Sequence, residues 1–217
     1  MIRGVIFDLD GILTDTAELH YRAWKKLADE EGWPFDRRIN ERLRGVSRRA
    51  SLEIILDGRR IPEEQMVACM ERKNRYYQEM LDSISPADLY PGVRETIRFL
   101  KAHRVRIGVG SASRNAPRIL RQLQIAECFD FIGDGGMVDR TKPEADIFVF
   151  VAGALGVPVS ECLVVEDAEA GIAAARVCGM HTIGIGPRER VGAAEHRYDC
   201  IGDIDWENII IGEVNHA

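Results

Sequence analysis

The sequence predicts an α/β protein: a Rossmann-like parallel sheet core with helices on both faces and an inserted α-helical cap domain. Three observations lead there. The apolar run Val5-Ile6-Phe7 opens the 217-residue chain as a short buried strand. Beyond residue 90, four more apolar runs alternate with helical patterns, the arrangement of a parallel sheet covered on both faces. Residues 16–85 interrupt that alternation with helical patterns and no convincing strand.

Taken in order, the helices of the interruption are expected over 16–31, 48–57 and 62–82, with Pro62 in a first helical turn and Glu63 and Glu64 at the positive end of the dipole. Ser85-Pro86 through Pro91-Gly92 marks the return. The crossings near 13–16 and 86–92 make a hinge pair, which divides the chain into a core of 1–14 plus 90–217 and a lid of 15–89. Strands are expected at 105–109, 129–132, 162–165 and 181–185, and helices at 92–103, 116–124, 144–156 and 169–178. The handedness of parallel crossovers aligns the strands' C-terminal ends on one edge, where ligands bind in such sheets.

Chemistry-bearing residues fall at those ends. Asp8 and Asp10 stand two apart, so an extended backbone points both side chains the same way. Carboxylates that close need a cation or a retained proton. Either remedy implies chemistry: a divalent metal site, or a nucleophile beside a general acid/base. The segment Gly110-Ser111-Ala112-Ser113-Arg114-Asn115 offers hydroxyls, and Pro117 marks a helix start whose amides attract anions; alone it also reads as an ordinary helix cap. Lys142 before Pro143 reads alone as a solvated charge. Glu166-Asp167 closes the run Leu163-Val164-Val165, with capping by Asp167 as the plainer reading. Together these groups suit one Mg²⁺ among carboxylates and a phosphoryl group balanced by Ser111 and Lys142. Asp8 is then the nucleophile forming an aspartyl-phosphate, and Asp10 the acid/base. Arg48, opening a helix after Ser47, fits a bidentate phosphate clamp.

The pattern Asp8-Leu9-Asp10-Gly11-x-x-x-Asp15-Thr16, continued by Ser111, Lys142 and Glu166-Asp167, resembles the haloacid dehalogenase-like superfamily of phosphotransferases. Within it, Thr16-Ala17-Glu18-x-His20-x-Arg22-Ala23-Trp24-Lys25, Gly45-Val46-Ser47-Arg48 and Ser111–Asn115 resemble the β-phosphoglucomutase group. The resemblance implies Mg²⁺ held by Asp8, the main-chain oxygen of Asp10, Glu166 and Asp167. It implies Ser111 and Lys142 positioning the transferred phosphoryl group. It further implies substrate contacts from His20, Trp24, Gly45, Val46, Ser47, Arg48, Lys73, Ala112, Ser113, Arg114 and Asn115, with Thr16 at the hinge. The activity implied is interconversion of a sugar 1-phosphate and 6-phosphate through a bisphosphate; the rival within the superfamily is a sugar-phosphate phosphatase. Two departures stand out: Ala168, where relatives usually carry serine, and the glycine-rich loop 133–140.

Other classes fit poorly. A net charge of −6 argues against a nucleic-acid role. No apolar stretch approaches a membrane span, and the chain starts with a core strand rather than anything like a signal peptide. The five cysteines (69, 128, 162, 178, 200), without a Cys-x-x-Cys pair, read as reduced thiols. A cytoplasmic monomer acting on a small sugar phosphate is expected. A phosphoaccepting receiver module would leave the helical lid without purpose, and a haloalkanoic acid dehalogenase would not want Asp10 or the 166–167 pair.

Overall fold

The computed structural model describes residues 1–210; residues 211–217 of the expected core segment lie outside it. Among the described residues one sheet contains six parallel strands: β1 (Gly4–Phe7), β2 (Arg106–Gly110), β3 (Phe131–Gly133), β4 (Cys162–Glu166), β5 (His181–Ile185) and β6 (His196–Tyr198). Their order is β3-β2-β1-β4-β5-β6. The chain runs outward one way from β1 and the other way from β4, so the reversal of winding lies at their shared border, the usual ligand crevice of such sheets. Register makes that border chemical. Phe7 pairs with Val109 on one side and Val165 on the other, so Asp8, Gly110-Ser111 and Glu166-Asp167 leave the sheet side by side.

The strands are apolar on both faces because helices cover both. Alternation sends Val5 and Phe7 into one cluster with Ile107, Val109, Leu163 and Val165, while Ile6 and Val164 join the opposite one. The first face is covered by α5 (Val93–Ala102), α6 (Ala116–Gln122) and α10 (Trp206–Ile210), the second by α7 (Asp146–Leu155) and α8 (Glu169–Val177). The short α9 (Arg188–Val191) lies between β5 and β6. β3 starts at Phe131 rather than 129, and β6 was not expected, since its His-Arg-Tyr sequence carries no apolar run that could announce it.

Residues between β1 and β2 form α1 (Ala17–Glu31), α2 (Arg37–Glu41), α3 (Arg48–Leu56) and α4 (Glu63–Leu81). Helix α2 was not expected; five residues are too few to show a period, although Asp36 caps it by accepting from Ile39 N at 2.8 Å. Pro62 precedes α4 instead of opening it, its backbone extended at ψ 149°. These helices enclose their own apolar cluster, including Trp24, Leu27, Leu52, Ile55 and Leu56. Ala23, Tyr77 and Leu81 instead join the sheet's core. Where the block departs and returns, the two strands of chain touch: Tyr90 N donates to Leu13 O at 3.0 Å and Thr14 Oγ1 to Asp88 O at 2.7 Å. No described helix is long and apolar enough to cross a membrane.

Helix α7 rests closely on the sheet because the sheet is bare beneath it. A Cβ on Gly108 would lie 2.7 Å from a Val151 methyl, and one on Gly133 would lie 2.6 Å from the other. Gly133→Ala should therefore destabilise the protein by roughly 1–3 kcal/mol, the usual cost of overpacking, read as a lower urea midpoint at unchanged slope.

Candidate active site

The border between β1 and β4 gathers three buried carboxylates. Ligand oxygens of Asp8, Glu166 and Asp167 lie within 4.8 Å of one another. Their backbones are tied by Asp8 N donating to Val165 O at 2.9 Å. Two glycines make the crowding possible. A Cβ on Gly11, at φ +86°, would stand 2.4 Å from Asp167 Oδ2, and one on Gly171 would stand 2.1 Å from Glu166. Lys142 reaches in from the loop before α7 and donates to Asp8 Oδ1 at 2.7 Å and to Glu166 Oε2 at 2.8 Å. Far from a solvated charge, its side chain is wholly enclosed.

Asp10 turns away from this group. Its Oδ1 accepts from Thr16 Oγ1, and His20 Nε2 stands 3.9 Å from the same oxygen. His20 Nδ1 meets Lys73 Nζ at 2.8 Å, while the imidazole lies against Tyr77 with ring centroids 4.0 Å apart. Lys73 is buried rather than displayed on the surface, its ammonium 4.9 Å over the Trp24 ring. The charged run around it in the sequence hides this, because α4 presents only one face to the interior.

A cavity of about 520 Å³ separates the helical block from the strand ends. Of the expected residues, Asp8, Asp10, His20, Trp24, Gly45, Val46, Ser47, Arg48, Lys73, Ala112, Ser113, Arg114 and Asp167 line it. Ser111, Lys142, Glu166, Thr16 and Asn115 stand behind that lining, all nearly inaccessible. Ser111 and Ser113 hold their own turn, accepting from Ser113 N at 3.0 Å and Asn115 N at 3.2 Å, so those amides are engaged internally. Asn115 joins the two halves: it donates to Asn74 Oδ1 at 3.0 Å and accepts from Gln78 at 3.2 Å. Arg48 shares Asn74 Oδ1 at 2.8 Å. Sequence reasoning missed Arg44, whose Nη1 donates to Asp167 Oδ2 at 3.1 Å. Its only sequence signal is adjacency to Gly45-Val46-Ser47-Arg48.

Burial and mutual repulsion set the electrostatics. Desolvation, then the Asp8 charge, push Asp10 up to about 7 and Glu166 up to about 8; the same two causes raise Asp167 to about 6. For Lys142 burial alone works against the charge, but Asp8 and Glu166 outweigh it and hold the ammonium above its ordinary range. On the helical side of the cavity burial, reinforced by neighbouring cations, lowers His20, Lys73 and Arg48. The cavity thus has an acidic pole at the strand ends and a cation-rich pole toward the helices. An all-oxygen, buried, carboxylate-rich donor set fits a hard divalent cation such as Mg²⁺.

Comparison with known proteins agrees. The family model for haloacid dehalogenase-like hydrolases matches residues 2–179. The chain belongs to that family. Among its relatives is the β-phosphoglucomutase of Bacillus subtilis strain 168, 44% identical over 189 residues, which span 85% of this chain and 84% of that one. A phosphorylated carbohydrates phosphatase of Thermotoga maritima is 31% identical, covering 84% of each chain. The crystal structure of β-phosphoglucomutase from Clostridium difficile superposes with a TM-score of 0.93 at 39% identity and 96% coverage of both chains. Enzymes of this family that act as mutases and as phosphatases share the fold, and the chain is a phosphotransfer enzyme of that kind. The family's usual Mg²⁺ suits the acidic group at the strand ends.

The raised carboxyl groups make metal stabilisation pH-dependent. A carboxyl whose folded pKa lies above its unfolded value stabilises the metal-free fold at low pH and loses that contribution as pH rises through the folded value. For Asp167 that loss runs from the ordinary value of 3.8 up to about 6, and for Glu166 from 4.5 up to about 8; within the fold, ionised carboxylates become available to a cation between about pH 6 and about 8. The rise in melting temperature on adding Mg²⁺ should therefore grow from pH 6 to pH 8 in paired thermal scans.

Proposed function

We propose that this enzyme is a Mg²⁺-dependent β-phosphoglucomutase that interconverts β-D-glucose 1-phosphate and D-glucose 6-phosphate through an aspartyl-phosphate and β-glucose 1,6-bisphosphate. The observation that carries the reading is the second, cationic pole. Transfer to water needs one phosphate subsite, whereas a bisphosphate that turns over between two transfers needs two. Arg48, from the helical block, and Arg114, from the loop after β2, line the cavity close enough to repel each other and would supply the second phosphate anchor. The helices from 15 to 89 act as a lid hinged at the paired crossings beside Thr14 and Tyr90. Similarity to a named β-phosphoglucomutase at 44% identity supports the same reading.

The positions support the following course. Lys142 holds Asp8 Oδ1 and leaves Oδ2 to attack phosphorus, forming the acyl phosphate as the sugar oxygen leaves. Asp10, with a pKa near 7, delivers the proton to that oxygen and removes one from the incoming hydroxyl on return. Thr16, at the hinge, and the His20–Lys73 pair hold Asp10 from the lid side, so its carboxyl is placed when the lid is down. Asp8, Glu166, Asp167 and the main-chain oxygen of Asp10 are the groups that would hold Mg²⁺, which supplies charge neutralisation for the phosphoryl oxygens. Ser111 positions the same phosphoryl group from its buried turn. The matching sugar-phosphate phosphatases keep hydrolysis as the second reading.

A coupled assay with β-glucose 1-phosphate, Mg²⁺ and a trace of the bisphosphate decides between them. Equilibration of the two isomers is expected; fast phosphate release without equilibration means a phosphatase. Asp8→Ala should abolish both activities. Arg48→Ala should slow isomerisation by roughly ten- to a hundredfold, the loss of one or two charge-assisted hydrogen bonds, while Asp8 still takes a phosphoryl group from a small acyl phosphate. Normal isomerisation in that variant would remove the second anchor.

A further inference from the structure

At one point the helical block meets the sheet with consecutive residues facing consecutive residues. Arg44 and Gly45 lie on Asp167 and Ala168. Arg44 Nη1 donates to Asp167 Oδ2 at 3.1 Å, and a Cβ on Gly45 would stand 3.0 Å from that of Ala168. Gly45 has φ +70°, so the block's backbone reaches this close only with glycine there. The far edge of Arg44 is held as well. Its Nε donates to Glu41 Oε2 at 3.0 Å, and Arg190, from α9 of the sheet side, stands 3.6 Å from the same carboxylate. Charges therefore alternate Arg190, Glu41, Arg44, Asp167, crossing between sheet and block twice.

The near end of this ladder is a carboxylate of the acidic pole. Asp167 is 5% exposed at its side chain, and among the described residues its Oδ1 accepts no hydrogen bond. Arg44 thus fixes one oxygen of a carboxylate whose ligand atom lies within 4.8 Å of those of Asp8 and Glu166. Asp8, Glu166 and Asp167 still offer ligand oxygens within 4.8 Å of one another, an all-oxygen set that a divalent cation can occupy. Groups that orient a metal's ligands commonly govern its affinity by about 10–100-fold.

We propose that Arg44 is a positioning residue that couples docking of the helical block to cation binding, because seating the block on the sheet brings the guanidinium that orients Asp167. Coupling of this kind is reciprocal: a docked block raises cation affinity, and the cation favours the docked block by the same factor. The inference rests on the reading of Asp8, Glu166 and Asp167 as Mg²⁺ ligands.

The test uses the full chain and Mg²⁺ alone. Calorimetric titration gives affinity, and a donor–acceptor dye pair between block and sheet gives their separation. Wild-type protein should bind Mg²⁺ and shorten that separation on binding. Arg44→Met should bind at least about tenfold more weakly and lose the shortening, with Arg44→Lys recovering part of both. Glu41→Gln, which touches no proposed ligand, should shift both readouts the same way by less, and it serves if Arg44→Met proves unfolded by circular dichroism. Equal or tighter binding by Arg44→Met, or a wild-type separation indifferent to Mg²⁺, overturns the coupling. Wild-type protein that binds no Mg²⁺ overturns the metal reading itself and the coupling with it.

Discussion

Everything at the site depends on keeping like charges together. Parallel pairing of β1 with β4 forces Asp8 against Glu166 and Asp167, at the edge where backbone hydrogen bonding ends. Lys142 makes that tolerable, bonded to two of the three and sealed from water. Losing one partner of a buried charge pair typically costs about 3–5 kcal/mol, because the other is left uncompensated. One lysine cannot balance the group, however. Burial, with repulsion from Asp8 behind it, lifts the neighbouring carboxyl groups toward neutral pH, and the three carboxylates form a set that could hold a divalent cation.

The helical block answers that acidic pole with its own charges. His20 and Lys73 face Asp10, Arg44 faces Asp167, and Arg48 is tied through Asn74 to Asn115 of the sheet side. The polar contacts across the cavity are thus made by groups that line it or stand directly behind its lining. Apolar packing supplements them, since Ala23, Tyr77 and Leu81 enter the sheet's core. Most of the polar contacts between the helical block and the sheet side are ionic or amide contacts of the kind that water can replace.

Much of this was legible beforehand. Strands at 162–165 and 181–185 and the long helices of the block are found close to their expected bounds, since each has a full period or a continuous apolar run. Elements too short to show a period were not: α2, β6, α9 and α10 carry polar or mixed residues and owe their form to their neighbours. Lys142 and Lys73 illustrate a different failure. Each read alone as a surface charge, and each is buried, because a lysine's surroundings are set by what the fold places around it and not by the residues beside it.

The chain alone determined the fold class, the helical interruption and the chemical inventory: paired carboxylates after β1, a second pair after β4, hydroxyls after β2. Those follow from local periodicity and from which residue types sit where a buried strand stops. Only the tertiary structure decided which of them meet. It turned Asp10 from the carboxylate cluster toward Thr16, brought Arg44 across 123 residues to Asp167, and set Ser111 and Lys142 behind the cavity wall. Side-chain direction and long-range partners depend on register, helix packing and burial, which local sequence does not encode.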